Sequence, residues 1–144
     1  MFKRIMVAFN ESAEAGRALM AAIQLAKTLG AELQAVTVFK LPSASTAFAA
    51  AASPMLTDTL MNDRREHYEQ LLAEARESSR THGVELATYL EEGEEVEAIV
   101  RCLVCNKADL LVIGLHRRSL HLSRLWSTVY ELAQDAPCSV LGVH

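Results

Sequence analysis

Short segments that are almost entirely apolar alternate with longer amphipathic segments along this chain, and this alternation constrains the fold more than any other feature. Residues 3–9 and 108–114 are such apolar runs, and the second reads ADLLVIG. Near-continuous apolar strands are typical of a parallel sheet that is covered on both faces. Parallel strands need crossover connections, which are right-handed and usually helical. The sequence therefore predicts an α/β fold with a doubly wound, Rossmann-like sheet.

The predicted elements follow in the order strand, helix, strand, long loop, and then three helix and strand pairs. We expect strands at residues 3–9, 32–39, 84–90, 108–114 and 139–143, and helices at residues 13–29, 57–82, 94–106 and 123–133. Ser12 is the expected N-cap of the first helix and Gly30 its left-handed C-terminal cap. Residues 40–54 are rich in Ala and Ser and lack a clear period, which favours a loop or lid. No repeat or linker interrupts this order, so we expect one domain over residues 1–144, with a five-stranded parallel sheet and helices on both faces.

The composition excludes several classes of protein. With 51% hydrophobic and 22% charged residues, the chain is neither disordered nor collagen-like. Its net charge of -4 argues against nucleic acid as a partner. Because the chain has no run of about 18 apolar residues and no signal-peptide pattern, we expect no membrane partner and a cytoplasmic location. The cysteines are too few for a disulfide framework, and Cys102 and Cys105 lie in a predicted helix without further ligands, so no metal site is expected.

A ligand site in such a fold is expected where the strand order reverses, at the carboxyl ends of the strands. Periodicity alone does not reveal which strands flank that point. The first and fourth strands are the best candidates, because residues 9–12 and 114–128 contain the densest polar turns.

The segments IMVAFNES, AVTVF, ADLLVIGLHRRS and APCSVLGV, together with the long middle helix, resemble the universal stress protein family across essentially the whole chain. In that family the turn after the fourth strand reads G-x2-G-x9-G-[ST] and holds the phosphates of ATP or AMP. The resemblance implies that Gly114 is the first glycine and Thr128 the hydroxyl residue. Arg117 and Ser127 stand where the family has its other two glycines.

The resemblance implies further contacts for a nucleotide. Asn10 replaces an acidic residue near the ribose, and Val38 falls beside the adenine. The full set of candidate nucleotide-binding residues is Ala8, Asn10, Val38, Gly114, Arg117, Arg118, Ser127, Thr128 and Val129. A backbone that wraps phosphate needs inward amides and positive φ angles, which Arg117 adopts only at a cost, although a guanidinium is itself a good phosphate donor.

Three hypotheses about function follow. The first is a regulatory, non-enzymatic stress-response module whose nucleotide binding is weakened or lost, with Arg117 on the phosphates of ATP or AMP as the alternative within it. The second is a slow nucleotide hydrolase, which would need Glu11 or Asp109 aimed at the same turn. The third is a pure interaction protein in which residues 40–54 order on a partner. We expect no obligatory cofactor, with ATP or AMP as an optional ligand.

Several side chains have a simpler interpretation. Arg117 and Arg118 fit an exposed basic turn equally well, and Asn10 fits a turn or cap. His116 and His121 are expected to be surface histidines, because no nucleophile with a fixed third partner can be paired with them.

The last strand is the expected dimer contact. The resemblance implies a homodimer in which this strand pairs across the interface, and its apolar edge would otherwise invite uncontrolled pairing. The residues concerned are Ser139, Val140, Leu141, Gly142 and Val143.

Overall fold

The computed structural model describes residues 1–40, 51–116 and 122–144, without the side chains of residues 122–127. The strands in these ranges are β1 (Arg4–Ala8), β2 (Glu32–Phe39), β3 (Leu86–Glu92), β4 (Leu110–Gly114) and β5 (Ser139–Val143). The main helices are α1 (Ala13–Leu29), α2 (Pro54–Thr81), α3 (Glu95–Cys105) and α4 (Leu122–Asp135).

The five strands form one sheet in the order β3-β2-β1-β4-β5, and every neighbouring pair is parallel. The predicted doubly wound α/β fold is therefore confirmed. The chain builds outward from β1 through β2 to β3 and then returns to place β4 on the other side of β1. The strand order thus reverses between β1 and β4, the two strands that the loop composition nominated.

The sheet is buried on both faces, as the apolar strands predict. Ile5 and Val7 of β1 pack in one cluster with residues of α1 and α2, whereas Met6 and Leu111 pack in a second cluster with residues of α3 and α4. All four side chains are fully buried. A single strand thus contributes to both cores, which explains why it shows no alternation of apolar and polar residues.

Both predicted caps of α1 are confirmed. The Ser12 hydroxyl oxygen accepts a hydrogen bond from the Ala15 amide at 3.1 Å. Gly30 has a φ of 64°, and its amide donates to the Ala26 carbonyl oxygen. The helix therefore begins directly after β1, which places its first turn at the carboxyl edge of the sheet.

Several predicted boundaries differ from the structure by two or more residues, and two of these differences have a clear physical reason. The third strand begins at Leu86 instead of residue 84, because the Val84 amide still bonds to the Ser79 carbonyl oxygen at the end of α2. The second helix begins at Pro54, inside the predicted loop, since proline suits the first turn of a helix. Its first half carries exposed apolar side chains such as Leu60, so the inward stripe is confined to its second half. Residues 41–50 of the predicted lid lie outside the described residues.

Candidate functional site

The carboxyl edge of the sheet brings four of the predicted site residues together. Ala8 ends β1 and Gly114 ends β4, and these strands are adjacent, with Val7 paired to Val112. On the other side of β1, Ala8 pairs with Val36, so Val38 lies two residues further along the same edge. Asn10 follows β1 and is exposed. Open α/β sheets bind ligands in a crevice at the carboxyl edge where the strand order reverses. At this edge, between β1 and β4, lie residues that sequence reasoning assigned to nucleotide binding, and this place is called the crevice below.

Asn10 has a turn-forming role in this structure. Its Oδ1 accepts a hydrogen bond from the Ser12 amide at 2.9 Å, which shapes the turn between β1 and α1. The residue that follows β1 is also held against β2, because the Thr37 hydroxyl donates to the Phe9 carbonyl oxygen at 2.8 Å. Of the two interpretations of Asn10, the structure supports turn formation directly.

Gly114 is required by close packing of β4 against α1. A Cβ atom at this position would collide with the backbone carbonyl group of Glu14 and would lie 2.8 Å from the Ala15 nitrogen. The positive φ expected of a phosphate-wrapping glycine is not found at Gly114, since the described glycines with positive φ are Gly30, Gly83 and Gly93. Glycine at this position therefore allows β4 to pack closely against the first turn of α1.

A hydrogen-bonded histidine and glutamate pair spans the same contact. His116 Nδ1 lies 2.7 Å from Glu14 Oε1, and the two side chains are 50% and 18% exposed. The Leu115 amide donates to the Val143 carbonyl oxygen at 2.6 Å, which fixes the residue before His116 to the end of β5. The pKa of Glu14 lies below its ordinary value, chiefly because of a hydrogen bond with its own backbone amide and then because of His116.

Sequence reasoning missed this pair. It placed His116 on the surface, which its half-exposed ring supports, but it found no fixed partner. The two residues are 102 positions apart, and no local pattern connects them. Their proximity follows only from the pairing of β1 with β4.

Thr128 and Val129 lie in α4 and are partly buried. Val129 packs against the core cluster that includes residues of α3. Thr128 lines a cleft of about 830 Å³ between α3, α4 and the end of β2. The cleft is rich in carboxylates, and Lys40 is its basic lining residue; the acidic residues are Glu94, Glu95, Glu97, Glu131 and Asp135. Lys40 Nζ lies 3.8 Å from a carboxylate oxygen of Glu95, with which it forms an exposed ion pair.

The remaining predicted site residues are not placed by the structure. Arg117, Arg118 and His121 lie outside the described residues, and for Ser127 the structure describes only its helical backbone. The roles assigned to them stay predictions.

Asp109 lies away from the crevice, so it does not meet the requirement of the hydrolase hypothesis for a carboxylate aimed at the turn after β4. Its carboxylate accepts hydrogen bonds from the Lys3 amide at 2.8 Å and the Arg4 amide at 3.0 Å. These contacts lie where β1 and β4 begin, at the amino edge of the sheet. In the described part of the chain, no group of three His, Cys, Asp or Glu side chains could hold a metal ion.

The two cysteines of the C-x2-C pair differ in burial. Cys102 is buried and Cys105 is exposed. Burial raises the pKa of the Cys102 thiol to about 11, so this thiol is unreactive near neutral pH.

The edge strand β5 is the predicted dimer contact. It pairs with β4 on one side, and within the described residues no strand pairs with its other side. Ser139, Leu141 and Gly142 are exposed, while Val140 and Val143 are partly buried.

Among the described helices, none is long and apolar enough to cross a membrane.

The sequence profile of the family described as Universal stress protein family matches residues 1–144. The chain belongs to this family. Its curated relatives include the universal stress protein YxiE of Bacillus subtilis, which is 27% identical over 147 residues, with 99% of each chain covered.

Solved structures show that this universal stress protein has the fold of its family. Universal stress protein UspA from Lactobacillus plantarum matches with a TM-score of 0.80 and 22% identity, covering 99% of this chain and 98% of the other. A family member from Burkholderia pseudomallei matches with a TM-score of 0.77 and 27% identity, covering 99% and 96%.

Some structural neighbours hold adenine nucleotides. A universal stress protein from Archaeoglobus fulgidus is in complex with dAMP; it has a TM-score of 0.66 and 22% identity, with 99% and 98% covered. A family member from Arabidopsis thaliana has AMP bound; it has a TM-score of 0.68 and 16% identity, with 98% and 90% covered.

Proposed function

We propose that this universal stress protein is a regulatory binding module, not an enzyme, which binds an adenine nucleotide weakly at the crevice between β1 and β4. It acts as a single domain over residues 1–144, in the cytoplasm, without nucleic acid or membrane as a partner. The observation that carries the proposal is the placement of Ala8, Asn10, Val38 and Gly114 along one edge of the sheet, where the strand order reverses. The dAMP and AMP found in related folds support an adenine nucleotide as the ligand class.

The residues of the turn after β4 favour weak binding of the nucleotide. Gly114 is retained, but Arg117 and Ser127 replace two glycines of the family motif, so fewer backbone amides can turn toward a phosphate. The neighbouring cleft at Thr128 is lined by five acidic residues against one lysine. Carboxylates repel a polyphosphate more strongly than a monophosphate, because a polyphosphate carries more negative charge. We therefore expect AMP to be tolerated better than ATP.

A titration of both nucleotides by isothermal calorimetry tests the proposal. The wild type should bind AMP only in the high micromolar to millimolar range, and the double variant Arg117→Gly with Ser127→Gly should bind more tightly if side-chain bulk is the obstacle. Arg118→Gly with Ser127→Gly is the matched control, because it removes the same charge without restoring the family glycine at position 117. If the control gains as much affinity as the test variant, the gain comes from Ser127→Gly, and the bulk of the Arg117 side chain is not the obstacle.

Arg117 as a phosphate ligand is the alternative within the same site. In that case the wild type binds ATP at low micromolar concentration and Arg117→Gly weakens binding, because a bidentate guanidinium contact is lost. That result would reject weakened binding. Hydrolysis has no comparable support, since Asp109 lies at the opposite edge of the sheet.

The module is proposed to be a homodimer through β5. The support is the unpaired outer edge of this strand within the described residues and the 38% exposure of the residue Leu141. Pairing with a second copy would cover backbone groups that an open edge leaves available for uncontrolled association.

A further inference from the structure

The sheet has two outer edges, and they differ in length and in charge. β3 is one edge strand and β5 is the other, and within the described residues neither is paired on its outer side. β5 has five residues, SVLGV, and none of them is charged. β3 has seven residues, LATYLEE, and ends in Glu91 and Glu92. A long edge strand with an apolar centre invites pairing with another chain, and charged residues at its end oppose such pairing.

Arginine side chains from both neighbouring helices reach the end of β3. Arg101 of α3 lies 3.3 Å from a carboxylate oxygen of Glu91, and Arg65 of α2 forms an ion pair with Glu92. The two helices cover opposite faces of the sheet, because they contribute to different core clusters. The end of β3 is therefore held by one ion pair on each face. These four residues are called the edge cluster below.

Arg101 also contacts an outward-facing backbone group of the edge strand. The Gly93 amide donates to the Phe39 carbonyl oxygen, so this amide points toward β2. Because the peptide bond is trans, the carbonyl group of Glu92 points the opposite way, toward the outer edge. There its oxygen accepts a hydrogen bond from Arg101 Nη2 at 3.1 Å. A strand added at this edge would use the same oxygen as an acceptor for its own amide.

The difference between the two edges determines how copies of this chain can assemble. Two copies that pair through β5 are related by a twofold axis, and such an interface is closed. The joined sheet would still have a β3 strand at each end. Pairing through β3 as well would add further copies without limit and produce a filament. A finite assembly therefore requires a β3 edge that does not pair.

We propose that the edge cluster prevents β3 from pairing with a second copy of this chain, so that assembly stops at the contact through β5. For two copies to pair through β3, each would have to break the hydrogen bond between Arg101 and the Glu92 carbonyl group. Each would also have to cover the side chains of Arg65 and Arg101, which are half-exposed to water. Loss of a hydrogen bond and removal of charge from water both oppose association.

The test removes both ion pairs without changing the net charge and measures self-association by sedimentation velocity. Leu141→Lys is present in every protein compared, because it hinders pairing through β5. The test variant adds Arg65→Ala, Arg101→Ala, Glu91→Thr and Glu92→Thr. It should associate about ten- to thirtyfold more tightly than the parent Leu141→Lys protein, because each copy no longer has a bond between arginine and carbonyl group to break.

The matched control removes two other exposed ion pairs, one between β1 and β2 and one within α2. It adds Arg4→Thr, Glu32→Thr, Glu77→Ala and Arg80→Ala to the same parent, and it should associate no more tightly than that parent. Thermal unfolding by circular dichroism verifies that both proteins are folded. If the test variant unfolds, Arg101→Met with Glu91→Gln replaces it, with Arg80→Met and Glu77→Gln as its control.

Association of the test variant that is no tighter than that of the control would overturn the role of the edge cluster. The outcome is independent of the proposed function, because no nucleotide is present and each variant is compared with its own Leu141→Lys parent. A wild type that proves monomeric would reject the contact through β5, whereas the comparison between test variant and control would still decide whether β3 is protected.

Discussion

Gly114→Ala should destabilise the protein although the added group is a single methyl. The Cβ atom would collide with the backbone carbonyl group of Glu14 and lie 2.8 Å from the Ala15 nitrogen, and backbone atoms in a capped helix cannot rotate away. Relief requires β4 and α1 to separate, which disturbs a buried interface that includes Val112 and Ala18. Overpacking of this kind typically costs about 1 to 3 kcal/mol, which corresponds to a fall in Tm of roughly 3 to 10 °C for a chain of this size.

The matched control is Gly16→Ala. Gly16 lies within α1, one turn from Ser12, and a Cβ atom there would meet nothing within 4 Å. Alanine in an unobstructed helical position is expected to stabilise the protein by about 0.5 to 1 kcal/mol. Chemical denaturation with tryptophan fluorescence and thermal unfolding by circular dichroism measure both variants. Equal stabilities for Gly114→Ala and the wild type would refute the argument that packing requires glycine at this position.

Three further results are expected. Ser12→Ala should lower stability by about 1 kcal/mol in denaturant unfolding, because the Ala15 amide loses its cap, and an unchanged midpoint would contradict the role of the cap. In thiol labelling at about pH 8, Cys105 should react first and Cys102, with a pKa of about 11, only after unfolding, whereas early labelling of Cys102 would contradict its burial. Leu141→Lys should convert a dimer to a monomer in sedimentation velocity, while Val104→Lys, at an exposed position of α3, should not; a wild type that is monomeric at micromolar concentration would reject pairing through β5.

Much of the fold could be predicted because local and global preferences agree. The apolar runs of β1 and β4 indicated a sheet covered on both faces, and Ser12 and Gly30 marked the ends of α1 correctly. The predicted boundaries of helices and strands were wrong where the local sequence pattern was ambiguous. Pro54 reads equally well as a loop residue or as the first turn of a helix.

The site was less predictable, because its contacts join distant segments. Loop composition located the two strands between which the strand order reverses, but the reason for Gly114 was different from the one expected. A close approach to Glu14, not a positive φ, requires this glycine. The contact between Glu14 and His116 depends on strand pairing across 102 positions, which periodicity does not encode.

Amide chemical-shift mapping during an AMP titration tests the central claim most directly, because it reports both where and how tightly the nucleotide binds. The account predicts shifts concentrated at Asn10, Val38 and Gly114 that approach saturation only at high micromolar to millimolar AMP. Saturation at low micromolar AMP would contradict weakened binding. Shifts confined to β5 or to the acidic cleft, with the edge of β1 and β4 unaffected, would contradict the location of the site.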